Sequence, residues 1–182
     1  MKSTVLVLFF FILFIIGCGK EVTIIKTSPA ERPQIETSKP THENINASNH
    51  HLQQAKLFYE KDRFKQARQH CEKAISFDSR NWEAYYYLGL TMQRQKDYVI
   101  AIEKLNEGLK VAPDNGIVRA EIHYAIGYSW ERIGRLVEAG MHYDRALGYN
   151  PEYDSAREGK DRVKAGKRSK KWGKDKEIDG KG

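Results

Sequence analysis

The sequence predicts an all-α fold, a solenoid of three stacked helix pairs with a shorter helix closing its C-terminal end. Three observations predict it. Small residues recur as triplets: Ala55, Ala67 and Ala74, then Gly89, Ala101 and Gly108, then Gly127, Ala139 and Ala146. The second triplet follows the first at a spacing of 34 residues, and the third follows the second in the same register once the four residues Gly116 to Arg119 are set aside. Bulky residues keep step with them, Phe58, Met92 and Trp130 in one series and Phe64, Tyr98 and Leu136 in another, and Pro113 and Pro151 close the second and third units where Ser79 closes the first. Self-similarity at such a period marks a repeat architecture. Small side chains belong where two helices cross most closely, and proline stops a helix because it cannot continue one.

These spacings resemble the tetratricopeptide (TPR) repeat, a helix-turn-helix unit of 34 residues. The resemblance implies a TPR solenoid over residues 48–151, in register as repeats 48–81, 82–115 and 120–153. The coarse reading places helices near 48–61, 64–77, 82–95, 98–111, 117–133 and 136–149, with the four-residue insertion lengthening the start of the fifth. After Pro151 the series Tyr153, Ala156, Lys160 and Val163 keeps helical spacing with a thin apolar stripe, which fits a capping helix over 152–166, since terminal repeats need a polar outer face.

Both ends of the chain read differently. Lys2 is followed by an uncharged apolar run from Val5 to Ile16, short of the roughly 20 residues that span a bilayer but suited to an export signal. Its end, Ile15-Ile16-Gly17-Cys18, resembles the lipobox of bacterial lipoproteins, which implies a signal peptide over 1–17, cleavage before Cys18, and acylation of Cys18 with enough chains for stable membrane anchoring. Residues 18–47 are rich in Thr, Ser, Pro, Glu and Lys without periodicity, and are expected to form a disordered tether. Residues 167–182, beginning Lys167-Arg168-Ser169-Lys170-Lys171, lose periodicity and are expected to be a basic disordered tail. From Arg157 onward eleven Lys/Arg face five Asp/Glu, a net of +6 out of the chain's +7. Export excludes nucleic acid as the partner of that charge and leaves anionic surfaces. Gly19 after the cysteine resembles the default for outer-membrane sorting, which implies the periplasmic leaflet of that membrane.

Little in the sequence points to catalysis. The six histidines come with no Cys-x-x-Cys, no His-Glu-x-x-His and no phosphate-binding glycine loop, so neither an enzyme, a metal nor a cofactor is expected. Cys71 falls inside a helix, where a lone thiol behaves as a small hydrophobe. What the TPR resemblance implies instead is a concave groove lined by the first helix of each pair. Its anchors are expected to be Tyr86, Leu90, Arg94, Tyr124, Tyr128 and Arg132, since Tyr and Arg are enriched at binding hot spots. Some TPR proteins clamp the carboxylate end of a chaperone tail; the corresponding positions here are Leu52, Lys56, Tyr87, Glu121 and Ala125, none of which fits. The function expected is a membrane-anchored scaffold that holds a partner's protein or peptide segment in the cell envelope. Two narrower alternatives are a pilotin-like assembly factor for a secretin and an adaptor for peptidoglycan enzymes.

Overall fold

In the computed structural model, residues 39–179 are described, with side chains through residue 166. The expected signal peptide, Cys18 and the tether up to residue 38 lie outside the described residues. Seven helices follow in order: α1 His42–Glu60, α2 Phe64–Phe77, α3 Trp82–Arg94, α4 Tyr98–Val111, α5 Gly116–Ile133, α6 Leu136–Tyr149 and α7 Asp154–Asp179. No described residue is in a strand.

Two expected boundaries are corrected. Helix α1 begins six residues before position 48, because the Thr41 hydroxyl accepts from the Asn44 N–H at 3.2 Å and Glu43 supplies an acidic first turn. Residues 42–47 are therefore helix and not tether. Helix α7 does not end at residue 166 but runs on to Asp179, across most of the segment expected to be disordered. That segment holds no proline, and its lysines, Arg168 and Glu177 are good helix formers. Gly166 and Gly173 each cost only about 1 kcal/mol and do not break it.

The turn inside each pair is built the same way three times. Asp62, Lys96 and Gly134 occupy equivalent positions with φ of 56°, 69° and 87°. The next amide in each case donates five residues back at 2.9 Å: Arg63 to Phe58, Asp97 to Met92 and Arg135 to Trp130. This left-handed helix ending satisfies the last carbonyls of the first helix and reverses the chain within three residues.

Close crossings explain the small-residue triplets. Their alanines are all fully buried. A Cβ on Gly89 would lie 2.5 Å from Leu105 Cγ, and one on Gly127 would lie 2.9 Å from the Tyr143 ring. Consecutive helices pack on one another; α1 also touches α3, α3 touches α5 and α5 touches α7, whereas the even helices make no such contacts with each other. The odd helices therefore form the inner face.

Candidate functional site

The inner face is lined by side chains one turn apart on α3 and α5. A cavity of about 250 Å³ opens between them, walled by Tyr86, Leu90, Gln93 and Arg94 from α3, Tyr124, Ala125 and Tyr128 from α5, and Tyr153 just before α7. Five of the six expected groove residues thus converge, and Arg132 does not. Its Nε donates to the Tyr98 hydroxyl at 3.2 Å and its guanidinium lies 5.7 Å from the Tyr98 ring centre, which draws it toward α4.

Arg94 borders the cavity, but its charge is already engaged. Its guanidinium donates to Asp62 at 2.6 Å and lies over the Phe64 and Tyr59 rings at 4.8 and 5.8 Å. Glu131 is likewise taken: Arg162 of α7 grips both its oxygens at 2.9 and 3.1 Å, and the Tyr143 hydroxyl donates to it. That cluster seats α7 on α5.

Gln93, which the repeat register turns inward, and Tyr153, which it does not reach, complete the wall beside the expected anchors. Gln93 occupies an inward position on α3, and its amide donates to the Ala125 carbonyl at 2.7 Å and to Ser129 Oγ at 2.8 Å, tying α3 to α5. Tyr153 follows the last repeat's proline, so the repeat pattern gives it no inward position. It packs on Tyr124 with ring centres 5.2 Å apart.

The tyrosines of the cavity are partly buried, and a carboxylate lies close to two of them. Burial, then the nearby Glu121 carboxylate, holds the Tyr86 hydroxyl well above the ordinary phenol range, and burial with Glu121 pushes Tyr153 up to about 12. Burial raises Tyr124 as well, against the opposing Arg162. Glu121, half-buried one turn before Tyr124 and Ala125, is itself held above the usual carboxylate range by burial and then by Glu83. Glu83, by contrast, is paired with Lys56 at 2.6 Å.

The histidines lie away from the groove. His51 and His70 face each other Nδ1 to Nδ1 at 3.1 Å, and His123 and His142 do so at 3.2 Å. Each pair is backed by a stacked ring, Phe77 on His51 and Tyr149 on His123. The second repeat has Tyr85, Lys104 and Val111 at these places. Among the described residues no three His, Cys, Asp or Glu side chains converge in a way that suits a metal ion. Cys71 is fully buried, and burial pushes its thiol up to about 12.

Comparison with known proteins agrees with this architecture. Residues 82–115 match the family model for the tetratricopeptide repeat. A stretch of 104 residues, 57% of the chain, is 34% identical to the probable UDP-N-acetylglucosamine–peptide N-acetylglucosaminyltransferase SPINDLY of Solanum lycopersicum, and the chain spans only 11% of that protein's length. Among solved structures, the Arabidopsis OM64 TPR domain superposes with a TM-score of 0.61 at 18% identity, covering 66% of this chain and 96% of that one. The first TPR domain of Spaghetti (RPAP3), bound to an HSP90 peptide, gives 0.62 at 14% identity, covering 66% and 93%. The chain carries a TPR repeat at residues 82–115 and folds as a TPR-like solenoid.

Proposed function

We propose that this chain is a membrane-anchored TPR scaffold of the bacterial cell envelope, which holds a partner's peptide segment in the groove between α3, α5 and Tyr153. The observation that carries the reading is the cavity itself. It is flanked by four tyrosines, and no described residue hydrogen-bonds their hydroxyls. Tyrosine presents a large rigid surface with a polar tip, the combination that concentrates binding energy at interfaces. The Spaghetti domain, which holds an HSP90 peptide, supports peptide capture as a use of this architecture.

Anchoring rests on Ile15-Ile16-Gly17-Cys18, with Cys18 as the acylated residue and the outer membrane's periplasmic leaflet as the destination. Cys18→Ser should abolish metabolic labelling by palmitate; labelling that persists would contradict the anchor. The basic segment after residue 166 is proposed to add salt-sensitive contact with anionic surfaces, since exposed charges are screened beyond roughly 10 Å at 0.1 M salt. A narrower role with a secretin or with peptidoglycan enzymes depends on which partner is captured.

The groove is tested by pull-down from envelope extracts, followed by comparison of Tyr124→Ala with Lys110→Ala on the exposed side of α4. Removal of a hot-spot tyrosine should weaken capture roughly thirtyfold. Equal capture by the two folded variants would place the partner elsewhere on the molecule.

A further inference from the structure

The two junctions between repeats are built on one register, and one of them contains the answer to what the other lacks. At the first junction Lys56 of α1 reaches Glu83 of α3 at 2.6 Å, and its ammonium lies 5.2 Å from the centre of the Tyr87 ring. Lys56, Glu83 and Tyr87 are the ninth residue of repeat one and the second and sixth of repeat two. One repeat further on, the same three positions hold Leu90, Glu121 and Ala125. The carboxylate is retained, while the lysine has become leucine and the tyrosine alanine. Leu90 and Ala125 both line the cavity. It occupies the place where the first junction keeps a cation and a ring.

Resting on the groove reading above, we infer that this cavity receives a lysine or arginine side chain of the bound segment, with its cationic end against Glu121 and the surrounding tyrosine rings. The ligand class is a basic or amphipathic basic peptide. Glu121 is half-buried, and among the described residues it has no hydrogen-bond or ion-pair partner. A carboxylate in that state gains more from an incoming cation than an exposed one does, because part of its desolvation has already occurred. Tyrosine faces attract the same charge. The cations nearby are committed elsewhere: Arg94 to Asp62, Arg162 to Glu131, Lys56 to Glu83, and Arg132 against Tyr98. An acidic segment would meet Glu121 without an unengaged guanidinium to offset it.

The test uses two amphipathic peptides, identical except that the two lysines of one are glutamates in the other, titrated by fluorescence anisotropy against the full chain in detergent. The lysine peptide should bind about tenfold or more tightly than its glutamate counterpart. Glu121→Gln should remove most of that ratio, and Tyr124→Ala should weaken both peptides. Equal affinities, preference for the glutamate peptide, or a ratio unchanged in Glu121→Gln would overturn the inference. If Tyr124→Ala still weakens binding in those cases, the groove reading survives alone. Binding of neither peptide, or binding indifferent to Tyr124→Ala, would count against both.

Discussion

The junction between the first two repeats is closed and the junction between the second and third is open, although the same helix geometry builds both. Lys56, Glu83 and Tyr87 fill the first with an ion pair over a ring. At the second, Leu90 and Ala125 leave a cavity, with the Glu121 carboxylate close to its Tyr86 and Tyr153. The difference teaches that in this solenoid the small-residue crossings set the frame, while the inward side chains at three positions decide whether a junction is structure or site.

The largest effect expected is on the shared frame. Gly89 belongs to the repeat between the two junctions, and its missing Cβ would lie 2.5 Å from the fully buried Leu105. Gly89→Val should cost about 3 kcal/mol, the upper part of the usual overpacking range. Lys110→Val at an exposed site of α4 should cost little. Equal unfolding midpoints in urea for the two would show that the crossing is not tight.

A second effect separates the outer repeats from the middle one. Burial, followed by the neighbouring charges, lowers His123 and His142 to about 4. Their folded forms are therefore neutral in a range where the unfolded chain, titrating near 6.5, binds protons. The contribution of this pair to stability is complete above about pH 6.5 and is lost as the pH falls toward 4. His51 and His70 are lowered in the same direction, by burial first. The melting temperature should fall on acidification through this window, and His142→Gln should flatten the fall. Parallel pH profiles for the two proteins would refute the role of the pair.

Opening the closed junction should have a smaller effect. Lys56→Met leaves Glu83 without its cation, and because both side chains are only partly buried the loss should be about 1 kcal/mol or less. A variant that gains stability would mean that the pair holds nothing together. The smallest effect concerns the turns. Lys96 adopts a left-handed conformation that Gly134 adopts without a side-chain penalty. Lys96→Gly should add about 0.5 kcal/mol, and a destabilised variant would show that contacts of the Lys96 side chain outweigh its backbone strain.

Much of the frame was legible in the sequence. The Ala and Gly triplets fixed the register, and five of the seven helices lie within a residue of their expected bounds because proline and the left-handed turns punctuate them. Helix α1 was read too short because Thr41 caps it from within a stretch whose composition looked unstructured. Helix α7 was read too short because its loss of apolar periodicity was taken for loss of helix, although charged residues sustain helix without a buried face. At the site, the inward positions on α3 and α5 located Tyr86, Leu90, Arg94, Tyr124 and Tyr128. The repeat pattern could not supply Tyr153, which lies past the last proline. Nor could it show that Arg94 and Arg132 turn to Asp62 and Tyr98, since contacts between neighbouring repeats depend on side-chain reach and not on register.

The most direct measurement of the central claim is the affinity of the captured partner segment for the unmodified chain and for Leu90→Lys, which rebuilds the closed junction at the open one. With Glu121 occupied from within and the cavity filled, binding should weaken about tenfold or more while the melting temperature holds or rises. Undiminished affinity in a folded Leu90→Lys variant would contradict the account, because the segment would then be binding without the space and the carboxylate on which the site depends.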